Sequence, residues 1–241
     1  MTEAATIVVR PLTPERWPDL QTLFGARGCS VARGCWCMYY RVSGAIPREA
    51  GERVADASKR AMHALVDGGT VTGLIGYQQV GDEAEGQRDG SDGGSVPHEQ
   101  GTDPPADPNA PARAPAHAPS GAPARQVPIG WVSIGPREEY GKLQRSPVMR
   151  AVDDQPVWSI VCFVVPSEHR GRGVTKELLA GAIAYAREQG AGFLEAYPID
   201  LDVPGHASAP WFGSAHMFAE AGFEEVARRR DDRPVMRLRL N

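Results

Sequence analysis

The densest apolar run in the chain, residues 157–165 (VWSIVCFVV), contains a single polar residue, Ser159. Both alternating sets of positions are apolar: Val157, Val161, Phe163 and Val165 in one, Trp158, Ile160, Cys162 and Val164 in the other. That pattern predicts a strand buried on both faces, central rather than edge. Pro166 ends it, because proline cannot donate into a ladder. The period then changes. Leu178, Ala182 and Tyr185 recur at helical spacing beside Leu179, Ile183 and Ala186, and Gly190 is the expected stop. The junction between the two periods reads Arg170-Gly171-Arg172-Gly173.

The same reading extends along the chain. Residues 6–10 (TIVVR) predict a first strand. Thr13-Pro14 predicts a helix start with the Thr13 hydroxyl as N-cap, then Trp17, Leu20, Leu23 and Phe24 inward and Gly25 at the end. Residues 47–67 predict a second helix with Val54, Ala57, Ala61, Met62 and Leu65 inward. Residues 71–80 and 127–140 predict the second and third strands, Gly135-Pro136 ending the latter, and 141–155 a loop. Residues 192–198 predict the fifth strand, with Phe193, Glu195 and Tyr197 on one face. Residues 214–221 predict a last helix capped by Ser214 and stopped by Gly222. Residues 223–229 and 235–240 predict a closing antiparallel pair, with Arg228, Arg237 and Arg239 turned to solvent.

Residues 81–126 break the pattern. They contain no Leu, Ile, Phe, Tyr or Trp, and from 82 to 126 eight acidic residues face three arginines. Such a segment cannot bury enough apolar area to offset its ordering entropy, so it predicts a disordered insertion in the hairpin between strands two and three. The expected organisation is one domain over 1–241 with this Gly/Pro/Ala/acidic insertion inside it.

Composition changes the picture only slightly. The net charge of −4 does not indicate a nucleic-acid grip, and no apolar run approaches the roughly 20 residues of a membrane span. Four cysteines, three of them within 29–37, suit a reducing cytoplasm, which is the expected location.

Three stretches carry candidate chemistry. A buried strand, a glycine-rich turn and a helix make an anion site, because the first helical N–H groups lack partners and glycine admits a ligand to the backbone. Arg170, Arg172 and Lys176 add positive charge. The turn is neither a P-loop, which needs Gly-Lys-Ser/Thr, nor a three-glycine dinucleotide fingerprint. The second stretch is residues 28–42 (GCSVARGCWCMYYRV). Cys29, Cys35 and Cys37 read as small buried hydrophobes, since their spacing is wrong for zinc and no fourth ligand is evident; no metal is expected. Trp36, Tyr39 and Tyr40 are the candidates for lining a mostly apolar pocket, which in the family resemblance given below borders the acceptor site. The third is Glu195 and Tyr197, with His216 and Cys162 behind them.

The turn Arg170-Gly171-Arg172-Gly173-Val174-Thr175 resembles the coenzyme A-binding signature of the GNAT superfamily of acetyl-CoA-dependent N-acyltransferases. Thr175 stands where Gly or Ala is usual, and the order of elements matches outside the insertion. The resemblance implies an α/β fold with a central mixed, twisted sheet of about seven strands flanked by four helices, strands four and five splayed apart. It implies acetyl-CoA as donor cosubstrate, with the backbone of Phe163, Val164 and Val165 along its pantetheine arm and the amides from Arg170 through Gly171, Arg172, Gly173 and Val174 to Thr175 at its pyrophosphate. It also implies attack by a primary amine of a small-molecule or peptide acceptor in a ternary complex. Nucleic acid and membrane are not expected as partners, and a homodimer stays open. The family's thiolate-protonating tyrosine falls at Phe218 and its glutamate base near Ser159, neither of which handles protons. Tyr197 and Glu195 are therefore the catalytic candidates. A non-catalytic coenzyme A-binding module, or an acyltransferase using aminoacyl-tRNA, is the alternative.

Overall fold

A computed structural model describes residues 6–80, 125–205 and 210–240. The insertion expected over 81–126 lies outside the described residues apart from its last two, which begin a strand.

Seven strands form one mixed sheet: β1 (Ile7–Pro11), β2 (Gly73–Val80), β3 (Arg125–Pro136), β4 (Trp158–Val164), β5 (Phe193–Ala196), β6 (Glu224–Arg228) and β7 (Pro234–Arg239). Their order is β1-β2-β3-β4-β5-β7-β6, which sets β4 at the centre. β4 runs antiparallel to β3 and parallel to β5. The expected fold class stands. The helices are α1 (Trp17–Gly25), α2 (Ser30–Cys35), α3 (Val54–Asp67), α4 (Gly141–Gln144), α5 (Val174–Glu188) and α6 (Ala215–Glu220).

The expected four helices correspond to α1, α3, α5 and α6; α2 is a short addition within 28–42, where the sequence predicts no element, and α4 one within the stretch read as a loop. α3 begins at Val54, seven residues later than expected, and Val54 itself is exposed while Ala57, Ser58, Met62 and Val66 face inward. Thr13 sits before a single 3-10 turn and its side chain caps nothing. Ser214 does cap α6, its hydroxyl accepting from the Met217 amide at 3.3 Å.

β4 divides the core. Trp158, Ile160, Phe163 and Val165 pack with α5, whereas Cys162 and Val164 pack with the side formed by α1 and α3. Ile160 and Phe163 are three apart, not two, because the β3 pairing skips from Ile134↔Ile160 to Ser133↔Cys162. Val161 is the extra residue of a β-bulge. The strict alternation read from sequence is therefore out of phase beyond residue 161.

α5 lies close against β1. A Cβ built at Gly181 would stand 2.5 Å from the Val9 Cβ. Alanine normally gains about 1 kcal/mol over glycine inside a helix. Here the sign reverses: Gly181→Ala is expected to destabilise by about 1–3 kcal/mol through overpacking, read as a lower urea midpoint at unchanged m-value.

Candidate active site

β4 and β5 are paired only over Trp158↔Leu194, Ser159↔Glu195 and Ile160↔Ala196. Beyond Ile160 the two strands part, and the backbone of β4 that would face β5 has no strand beside it. A cavity of about 680 Å³ opens along this stretch, lined on one wall by Val161, Cys162, Phe163, Val164 and Val165. Its opposite wall is α2 and the residues around it, including Gly28, Cys29, Val31 and Ala32. Volume and apolar lining suit a small-molecule site.

At one end the cavity meets the start of α5, where Arg170 and Thr175 line it. Gly171 and Gly173 have φ of 72° and 77°, the left-handed region that glycine enters without a steric cost. The first amides to bond back to the Gly173 carbonyl are those of Lys176 and Glu177, so the amides of Val174 and Thr175 precede the first helical bonds. Among the described residues nothing stands within 4 Å of a Cβ at either glycine, which leaves the turn room for a ligand. The charges are arranged differently from expectation. Arg170 donates through Nε to the Val165 carbonyl at 2.9 Å and through Nη2 to that of Gly28 at 2.8 Å, clamping the end of β4 to the segment before α2. Lys176 pairs with Glu220 at 2.7 Å, and Arg172 is exposed.

All four cysteines are free thiols and all four line the cavity. Cys35 contacts Cys37, and Cys37 contacts Cys162. Contact with the Cys37 thiol, then burial, pushes the Cys35 thiol up; contact with Cys162, then burial, does the same to Cys37. Trp36 and Cys37 are the two non-glycine residues with positive φ among the described residues, 47° and 50°. That turn sends Trp36 away from the cavity: it is buried, stacked on Trp17 at 5.4 Å, and does not line the site. Tyr39 and Tyr40 do line it, together with Trp211, which sequence reasoning missed. Its signal was the Trp211-Phe212-Gly213 triplet, with Gly213 at φ 75°.

The structure separates Tyr197 and Glu195 from this opening. Both are sealed, at 0% and 1% exposure, and neither lines the cavity. The Tyr197 hydroxyl donates to Glu195 Oε2 at 3.0 Å, with Ser159 Oγ at 3.0 Å and Arg137 donating to it. Glu195 is held by Arg237 at 2.6 Å and Arg137 at 3.7 Å. Burial, then the Glu195 charge, pushes the Tyr197 phenol up. A proton donor needs reach to the reacting atom, and these side chains spend theirs on one another. Arg237 is correspondingly half-buried and held in ion pairs with Glu195 and Asp153, not turned to solvent as expected. Phe218 is buried between Phe163 and Phe223, and His216 is exposed beside Glu220.

A buried strand, an open β4 edge and a glycine turn at a helix start agree with the match of residues 94–216 to the acetyltransferase (GNAT) family. The chain belongs to that family. Solved structures similar to this GNAT chain include a GNAT-family acetyltransferase from Listeria monocytogenes, 10% identical over 97% of this chain and 95% of that one, TM-score 0.48. A PaiA N-acetyltransferase from Thermoplasma acidophilum in complex with coenzyme A is 11% identical over 97% and 99%, TM-score 0.42. An N-acetyltransferase from Staphylococcus aureus is 12% identical over 98% and 100%, TM-score 0.42. No curated protein sequence matches this GNAT chain. No helix among its described residues is long and apolar enough to cross a membrane.

Glu195→Gln in this acetyltransferase removes the buried charge between Arg137, itself buried, and the half-buried Arg237. Breaking a buried pair from one side costs about 3–5 kcal/mol, so a large fall in the urea midpoint is expected, whereas a catalytic carboxylate at the surface of a cleft would leave it nearly unchanged.

Proposed function

We propose that the protein transfers the acetyl group of acetyl-CoA to a primary amine by direct attack within a ternary complex. The observation that carries this reading is the cavity between the parted β4 edge and α2, which ends at the glycine turn of α5. Phe163, Val164 and Val165 would lie along the pantetheine arm. The amides from Gly171 to Thr175 would take the pyrophosphate. A preorganised backbone N–H at the thioester oxygen is worth about 3–4 kcal/mol in comparable sites. The Val161 bulge leaves a residue of β4 out of the ladder with β3 near that point.

Three of the four cavity cysteines favour direct attack over an acyl-enzyme. A thiolate is the nucleophile, and Cys29, Cys35 and Cys37 are all pushed towards the protonated form. Tyr40, whose phenol burial pushes up to about 12, remains protonated at neutral pH and is a hydrogen-bond donor on the cavity wall. Positioning and electrostatics then supply the rate, with proton loss from the attacking nitrogen to solvent.

Gly173→Glu puts a side chain and a negative charge where the pyrophosphate would bind, and Gly173→Ala isolates the backbone strain of a left-handed position. Calorimetry is expected to show acetyl-CoA affinity lost in the first and largely kept in the second. Unchanged affinity in Gly173→Glu would overturn the donor site.

We also propose that residues 1–241 are one domain interrupted at 81–126. Replacing 82–124 by a short Gly/Ser link is expected to leave the melting temperature and acetyl-CoA binding nearly unchanged, because closure cost varies slowly with loop length. A drop of many degrees would show that the segment belongs to the core.

A further inference from the structure

The end of the cavity away from Arg170 is built of aromatic rings. Tyr40 meets Tyr39 at 4.9 Å and Phe212 at 5.6 Å between centroids, and Trp211 leans on Phe212 at 6.2 Å. Tyr40, Trp211 and Phe212 pack with Val161, four residues back along β4 from Val165 and so about 13 Å from it. Donor and acceptor ends are thereby separated along one strand.

Two cations lie over these rings. Lys142 Nζ is 3.3 Å from the centre of the Tyr39 ring, and the Arg233 guanidinium is 4.2 Å from that of Phe212. Neither has an ion pair among the described residues. Arg233 is buried, donates to the Tyr197 carbonyl at 3.2 Å, and has no partner at Nε among the described residues. Burial, first of all, holds its pKa below the usual arginine range. Among the described residues no Asp or Glu lines the cavity; Lys142 and Arg233 are not on its lining either, but border it through Tyr39 and through Phe212 beside Tyr40. This end is therefore aromatic and electropositive. A polyamine or dibasic acceptor would bring a second ammonium against Lys142. An amine that also carries a carboxylate would find a partner there.

We propose that the acceptor is an α-amino acid with an aromatic or apolar side chain, its carboxylate taken by Lys142 in the field of Arg233 and its side chain laid on Tyr40 and Trp211. This rests on the acyl-transfer reading above. The same positive field disfavours the acceptor's ammonium form and so raises the fraction of free amine. The amine lone pair forms the new C–N bond at the thioester carbon. The C–S bond breaks with its electron pair on the coenzyme sulfur, and the proton lost from nitrogen balances the thiolate.

The test compares L-phenylalanine with phenethylamine, which lacks only the carboxylate, and with spermidine, in an acetyl-CoA thiol-release assay. L-Phenylalanine is expected to exceed both in kcat/KM by about tenfold or more, the scale of a charge-assisted hydrogen bond. Lys142→Met is expected to remove that preference through KM while leaving phenethylamine turnover unchanged, and Lys142→Arg to restore it. Equal or better turnover of phenethylamine or spermidine, or an equal effect of Lys142→Met on both aromatic amines, overturns the assignment and leaves the acyl-transfer reading standing. If no amine releases thiol, calorimetric titration of L-phenylalanine into coenzyme A-loaded wild type and Lys142→Met decides it: binding in the first alone supports the proposal, and no binding overturns it. Failure of acetyl-CoA itself to bind overturns the acyl-transfer reading instead.

Discussion

The carboxylate of Glu195, closed between Arg137 and Arg237, is the interaction on which the rest of the architecture depends. It sits at the middle of the three-residue β4–β5 contact, opposite Ser159, and its partners come from after β3 and from β7. Four neighbouring strands are thus tied at one level of the sheet. Just above that level β4 and β5 separate. A parallel sheet that opens gives up ladder bonds, and the opening holds its shape only if the strands are fixed firmly below it. Charges this deep cost several kcal/mol each to desolvate, so they are tolerable only when fully paired, and a fully paired set rigidifies what it joins.

Arg41 does a comparable job on the other wall. Its guanidinium reaches the Thr72 carbonyl at 3.0 Å and the Tyr140 hydroxyl at 3.1 Å, and pairs with Glu139. The chain that follows α2 is thereby fastened to β2 and to the turn after β3. With Arg170 clamping Gly28 to the end of β4, four arginines brace the cavity's walls. Of these, Arg170 lines it, and Arg41, Arg137 and Arg237 stand outside its lining.

Much of this was legible in the sequence. The apolar run around Ile160, the stripe through Leu178 and Ala182, and the Gly171–Gly173 turn gave the central strand, its helix and the open glycine turn between them, because burial and glycine geometry leave marks in sequence. The β-bulge left none: Val161 is as apolar as its neighbours, so the phase change was invisible. α2 was hidden because six residues are too few to show a period. Glu195 and Tyr197 were correctly read as facing one another's side of the strand, but spacing says nothing about whether that side is open. Their burial depends on Arg137, some 60 residues away in sequence. Trp36 looked like pocket lining by composition alone, and one left-handed turn points it the other way.

That turn has a consequence for how the segment can vary. Left-handed backbone costs an ordinary residue roughly 1–2 kcal/mol, and Trp36 and Cys37 bear it in succession. Glycine at either position would relieve the cost. At 36 it would also delete the indole stacked on Trp17, and at 37 the thiol that bridges Cys35 to Cys162. Backbone ease and side-chain fit therefore pull in opposite directions at two adjacent codons. Drift in the surrounding core, at Trp17 or Phe24, would be felt first as a loosening of this turn and hence of the cavity wall it carries.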